Sequence, residues 1–308
     1  QAAEGAAGAL WGVWQRWDTI HYIRIAQAGY THNELTAFFP FYPGLGYLLS
    51  TISGVDVLAV FCLLSIACAL LAMLLLYKIV AEHINPAWAA PTVVMMAVFP
   101  SSFFFFAPYP QSLGMLLLLL AIRSALRQRW LAAACAGLAA GLTHSTVAPL
   151  AVTLGVLALA QVWPYARARF PQSLKPWMER LLSAPVGELR RRNWLALGAA
   201  LTPILGTLLF LAWRVWSNFP PFGPYLLERW GRTSQWPWVT LLRLPQITQS
   251  TYFGAAGWAN LAAFGLAIAV TVWSIKHLPG WLWVYQLIGL ILLLSQDLVQ
   301  EVLGGFNR

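Results

Sequence analysis

Asp18, His21 and Arg24 lie within two helical turns of one another in the stretch WQRWDTIHYIRIAQAGYTHNELTAFFPFYP, residues 14–43. Read as a helix from Trp14 to Ala28, residues three, four and seven apart share a face. Asp18 then sits with Trp14, His21, Tyr22 and Ile25, while Arg16 points almost oppositely and Arg24 lies to one side. A carboxylate and an imidazole held together among aromatics suit proton transfer, since a carboxylate in a water-poor place can take a proton from a hydroxyl. The competing reading is an amphipathic juxtamembrane helix whose charges face headgroups and water. The pattern alone leaves both open. Gly29 is placed to stop the helix as a C-terminal cap.

The elements that must position these residues are membrane helices. Hydrophobic residues make up 59% of the 308, charged residues only 9%, and there are 17 tryptophans. A soluble domain carries roughly 25% charged residues, so the expected class is an all-α polytopic membrane protein, a single transmembrane domain over residues 1–308. Trp and Tyr enrichment fits the membrane–water boundary. Cys62, Cys68 and Cys135 lie in apolar runs without metal-ligand spacing and are read as packing residues. The net charge of +9 is read as membrane orientation and not as nucleic-acid binding, because the basic residues sort to one side.

That sorting follows from the expected spans: 56–80, 87–106, 111–126, 130–143, 147–163, 194–216, 258–275 and 281–296. Residues 36–50 are too broken by Pro40, Pro43 and Gly44 for a regular span and are read as a re-entrant or interfacial segment. If each span crosses once, the loops 77–86, 123–129, 164–193 and 276–279 share a side. They hold twelve of the nineteen Lys and Arg and three of the ten acids, which makes them cytoplasmic. The basic loop 164–193 is then an orientation determinant in contact with anionic lipid. The polar-aromatic clusters at 14–43, 107–112, 143–146, 217–257 and 297–308 fall on the other face, where any chemistry is expected. No phosphate-cradling Gly-rich loop, HExxH or GxSxG occurs.

The motif residues Trp17-Asp18-x-x-His21-Tyr22-x-x-Ile25-Ala26-x-x-Gly29-Tyr30, with Phe38-Phe39-Pro40-x-Tyr42-Pro43, resemble the PIG-V type mannosyltransferases, the GPI mannosyltransferase II family and its bacterial relatives. Tyr109-Pro110-Gln111-Ser112-Leu113 sits where that family has Tyr-Ser-Glu-Ser-Leu, and Leu142-Thr143-His144-Ser145 where it has Leu-Thr-Arg. Trp230-Gly231-Arg232 and Pro237-Trp238 resemble its Trp-Gly-Arg and Pro-Trp loop, so the likeness runs over about residues 14–240. The resemblance implies a GT-C glycosyltransferase: a multispan helical bundle that moves a sugar, here mannose, from a polyprenyl-phosphate carrier to a hydroxyl acceptor, with inversion. It also implies a bacterial cytoplasmic membrane, with the site on the extracytoplasmic face. Its essential acid, in the first extracytoplasmic loop, corresponds to Asp18. His21, Tyr22, Arg24, Phe39, Tyr42, Tyr109, Gln111, His144, Arg229, Trp230 and Arg232 are the expected substrate-binding residues, with Arg232 the first choice for the phosphate leaving group. The donor arrives activated, so no nucleotide pocket and no cofactor is expected. No second acid is placed near Asp18 to complete a metal site.

Two departures stand out: Gln111 replaces a family glutamate and His144 a family arginine. They are either a compensated swap or a change of donor or acceptor. The acceptor class, whether glycolipid, glycan or protein, is not encoded in any motif. Other readings are a flippase or transporter for polyprenyl-linked substrates and a non-catalytic subunit of the same fold. Against transport, the spans are nearly free of charge and show no convincing repeat. Asp297 and Glu301 are minor alternatives on the active face, and Glu34 or Asp297 would be the base if Asp18 were structural. A start at Gln1 without methionine and an abrupt GGFNR end lead to the expectation of a chain truncated at both ends, lacking a first helix and a C-terminal Arg-Tyr motif.

Overall fold

The computed structural model describes residues 11–144, 148–166, 173–182, 194–220, 236–248 and 254–295, and every regular element among them is helical. Helix α1 spans Asp18–Ala28 and starts one turn later than the periodicity predicts. Trp17, at φ 49° and ψ −132°, breaks the chain there, and Gly12–Trp14 forms a separate 3₁₀ turn. Asp18 is therefore the first residue of a helix and not a mid-helix one. Gly29 (φ 72°) ends α1 as expected, its N–H donating to the Ile25 carbonyl at 2.9 Å.

Helix α2, Phe41–Ser53, corrects the expectation of a broken segment. Pro40 precedes it and Pro43 lies in its first turn, where the N–H groups have no intrahelical acceptor and proline costs nothing. Helix α3, Val57–His83, is capped by Asp56, whose side chain accepts from the Leu58 and Ala59 N–H groups at 2.9 and 3.3 Å. Helix α4, Pro86–Val98, is capped by Asn85 and is shorter than the 87–106 expected. It stops where Phe99 takes an extended conformation before Pro100, and a 3₁₀ turn followed by the single turn Phe103–Phe106 leads on. Helices α5 (Gln111–Leu126), α6 (Trp130–Gly141) and α7 (Ala148–Ala166) follow the expected spans closely. Short α8, Lys175–Leu181, lies inside the basic loop, and α9 spans Trp194–Trp216. Helices α10 (Pro237–Thr248), α11 (Gly254–His277) and α12 (Gly280–Leu294) complete the series.

Helices α3 and α9 are long and apolar enough to cross a bilayer. At 1.5 Å per residue α3 reaches about 40 Å, against about 30 Å of hydrocarbon. Its two faces are inverted relative to a soluble helix. Leu63, Ile66, Leu70 and Leu74 are exposed, while Cys62, Ser65, Ala69 and Ala72 are buried. Small residues inward and large apolar residues outward are what a helix needs when lipid, not water, covers its outer side. The chain is an all-α membrane protein.

Two compact units form, one from Gln1–Val162 with Pro185–Phe219, the other from Trp163–Ala184 with Pro220–Arg308. In the first, α3 packs on α4 and α5, α5 on α6, and α6 on α9. The α6–α9 crossing is close: a Cβ on Gly141 would strike the Pro203 carbonyl, and one on Gly206 the Leu138 carbonyl. The Thr207 hydroxyl donates across it to the Gly141 carbonyl at 3.2 Å. In the second unit, α8, α10 and α11 pack on α12, and the Thr240 hydroxyl donates to the Leu294 carbonyl at 2.6 Å.

Candidate active site

The first unit has chemically distinct ends. Glu82, near the end of α3, accepts from Arg123 at 2.6 Å and from Arg127 at 3.1 Å, which ties together the C-terminal ends of α3 and α5. At the opposite end, α1, the start of α2, the residues before α5 and the end of α6 converge. The Phe41 N–H donates to the Leu142 carbonyl at 3.0 Å. The Thr143 methyl group faces Gly114, one turn into α5.

An aromatic core organises this end. Tyr22 meets Phe38 and Tyr42 edge-on, with ring centroids 5.1 and 5.2 Å apart, and Tyr42 stacks on Phe61 at 4.8 Å. His21 stacks on Phe38 at 4.8 Å. Its Nδ1 is buried and has no hydrogen-bond partner among the described residues. A buried ring nitrogen of that kind is costly unless something pairs with it. Tyr30 anchors the loop after α1 by donating to the Phe38 carbonyl at 2.8 Å, and its ring lies against Trp213 and Phe210 of α9.

Asp18 sits at the rim of this core, partly buried at the amino end of α1. An acid in the first turn is the placement a helix dipole favours. Its charge reaches two phenols. Burial holds the Tyr22 hydroxyl well above the ordinary tyrosine range, and the nearby Asp18 carboxylate adds to that. Burial and then Asp18 raise Tyr109 as well, opposed by hydrogen bonding from the Thr19 side chain and the Asp18 backbone. Tyr109, 91 residues away in sequence, thus closes the amino end of α1.

The structure brings Asp18, His21, Tyr22, Tyr42 and Tyr109 to one place. Phe39 is buried against Phe210, with ring centroids 4.8 Å apart, and belongs to the packing behind them. Arg24 is exposed and lines a separate open recess of about 390 Å³ with Gln27, Thr31, His32 and Glu34. Gln111 is exposed as the first residue of α5, and His144 is half-buried just past α6. Their elements meet at the Gly114–Thr143 contact. Arg229, Trp230 and Arg232, with Asp297 and Glu301, lie outside the described residues. Thr19, Phe61 and Ser65 were not singled out by sequence reasoning. Each is a common residue type with no chemical signal of its own, and only the fold shows what it touches. Arg214 is likewise deeply buried, in the last turn of α9 beside Trp213.

The carboxylate, imidazole and phenols of this membrane protein thus gather at one end of the helices of its first unit. The family described as Mannosyltransferase (PIG-V) matches residues 2–162, just over half of the 308 residues and all of the cluster around Asp18. The chain belongs to the PIG-V mannosyltransferase family. No curated protein and no solved structure matches it.

Proposed function

We propose that the chain transfers mannose from a polyprenyl-phosphate donor to a hydroxyl acceptor, with inversion, on the extracytoplasmic face of the membrane. Asp18 is the general base. The observation that carries this reading is the setting of Asp18: the first residue of α1, against Tyr22 and Tyr109, at the end of the unit away from Glu82, Arg123 and Arg127. Charge bias along the chain makes the arginine end cytoplasmic.

In this reaction the acceptor oxygen attacks the anomeric carbon as its proton passes to the Asp18 carboxylate. The bond from that carbon to the phosphate oxygen breaks on the opposite face, and polyprenyl phosphate leaves with the electron pair. A carboxylate walled by aromatic rings has little water to compete with the acceptor hydroxyl. The buried His21 Nδ1 is an open polar atom beside it, suited to a sugar hydroxyl or to the Asp18 carboxylate. The leaving phosphate needs cationic donors, for which the guanidinium fork is suited. Arg232, Arg229 and Arg24 are candidates from the sequence, and Arg214 joins them from its burial at the end of α9. The donor's lipid tail accounts for a site at the membrane boundary, with Phe38 among its walls and Phe39 packed behind it.

The test is transfer by purified protein from a short-chain polyprenyl-phosphate mannose, comparing wild type with Asp18→Asn. Loss of transfer in a folded mutant is expected; wild-type turnover would move the base elsewhere. A protein that turns over only with another hexose would keep the base and change the donor.

A further inference from the structure

Ser65 lies in the middle of the apolar run of α3, fully buried, with its hydroxyl engaged on both sides. The Tyr42 hydroxyl, from α2, lies 2.9 Å from Ser65 Oγ. Ser65 Oγ in turn donates to the Tyr109 carbonyl at 3.3 Å. A serine hydroxyl has one proton and two lone pairs. With its proton given to the Tyr109 carbonyl, Ser65 Oγ has its lone pairs for the Tyr42 hydroxyl, which also has the Phe61 carbonyl within reach at 3.4 Å, so the three residues are linked through Ser65. All three residues are buried, so water does not substitute for any link. The Tyr109 ring also lies against the Phe104 ring, with centroids 5.7 Å apart. Its hydroxyl then faces Thr19 and Asp18 at the start of α1.

We propose that Ser65 is a positioning residue for Asp18: it fixes the Tyr109 backbone, and Tyr109 closes the amino end of α1 where the carboxylate sits. The inference rests on the assignment of Asp18 as the base. Ser65 touches no reacting atom; it acts through one backbone carbonyl. Three elements, α2, α3 and the Ala107–Pro110 connection, are joined by this one side chain at the level of the site.

The experiment measures kcat and KM for the polyprenyl-phosphate sugar in Ser65→Ala, Ser65→Thr, Tyr42→Phe and Asp18→Asn, with apparent Tm as the control for folding. Misplacing a catalytic group by about 1 Å costs on the order of a hundredfold in rate. Ser65→Ala is therefore expected to lose about ten- to a hundredfold in kcat with KM within about twofold. Ser65→Thr keeps a hydroxyl on the same carbon and is expected to recover most of the loss. Tyr42→Phe, which keeps the ring packing, is expected to lower kcat in the same direction. Its effect and that of Ser65→Ala should be less than additive in the double variant. If Ser65→Ala does not fold, the Ser65→Thr and Tyr42→Phe values carry the test. Wild-type kcat in Ser65→Ala, or in Tyr42→Phe where the alanine variant does not fold, overturns the proposal when Asp18→Asn is inactive. Retained transfer in Asp18→Asn is the different failure, in which the base assignment falls and takes this inference with it.

Discussion

Helix α2 carries two glycines, Gly44 and Gly46, two residues apart, that an alanine substitution should move in opposite directions. Gly46 is buried one turn after Tyr42 on the same face, and both lie against Phe61. A Cβ on Gly46 would come to 2.9 Å of Phe61 Cδ1 and closer still to Cε1 and Cζ. The ring has nowhere to turn, because Phe61 is fully buried and stacked on Tyr42 with an interplanar angle of 18°. Overpacking of this kind costs about 1–3 kcal/mol. Gly44 is exposed with nothing within 4 Å of its Cβ position, so alanine there gains about 0.5–1 kcal/mol from reduced backbone freedom. At roughly 2–4 °C per kcal/mol for a chain of this size, thermal unfolding in one detergent should place the two variants several degrees apart, Gly46→Ala below wild type and Gly44→Ala above it. Gly46→Ala should also slow transfer, since any shift of Phe61 moves Tyr42 and the Ser65 link. A Gly46→Ala protein as stable as wild type would refute the packing of α2 on α3 described here.

Three further outcomes follow from the same geometry. Burial holds the Tyr22, Tyr30 and Tyr109 hydroxyls above the ordinary value of 10.0, so the folded chain keeps protons that the unfolded chain gives up. Stability from these groups is full below about pH 10 and is lost as pH rises beyond it, which tyrosinate absorbance should track through alkaline unfolding. Trp17 is 68% exposed and holds a backbone conformation that strongly favours glycine, so Trp17→Gly is expected to raise stability by about 1 kcal/mol while Trp17→Ala does not; equal melting of the two would remove the strain. Gln111→Glu and His144→Arg each change one charge on elements that meet at Gly114 and Thr143. The double variant is expected to transfer faster than either single one, and additive losses in a double-mutant cycle would rule out the pair.

The class of fold was legible because lipid imposes a simple rule on composition, and spans such as α5 and α9 were legible because their apolar runs are long; even Pro203 inside α9 does not end it. The prolines misled. Pro40 and Pro43 look like breaks in a sequence, yet at the start of α2 they stand where a helix has no hydrogen bond to lose. Pro100 looks like the tail of a span, yet the preceding residue is forced into extended backbone and α4 ends at Val98. Trp17 hid the true start of α1, since no propensity predicts a bulky residue at positive φ.

The candidate site was legible only where its residues are chemically conspicuous. Asp18, His21 and Tyr22 share one helix face and one motif, so sequence spacing finds them. What holds them does not share that advantage. Ser65 is a lone hydroxyl in an apolar helix, where the common reading is local bonding to the preceding turn. Its partners are 23 residues before it and 44 after it. A motif search rewards residues that do chemistry. The residues that place them are selected by distance in the folded chain, and in α3 those positions differ from their neighbours only by being small and facing inward. That is why the inward stripe Cys62, Ser65, Ala69 and Ala72 matters for the site as well as for packing. Small side chains let α2 and the Tyr109 connection approach closely enough for a single hydroxyl to bridge them. A side chain bulkier than serine or threonine at position 65 would separate the elements that the hydrogen-bond chain joins, so the same position serves the fold and the proposed base.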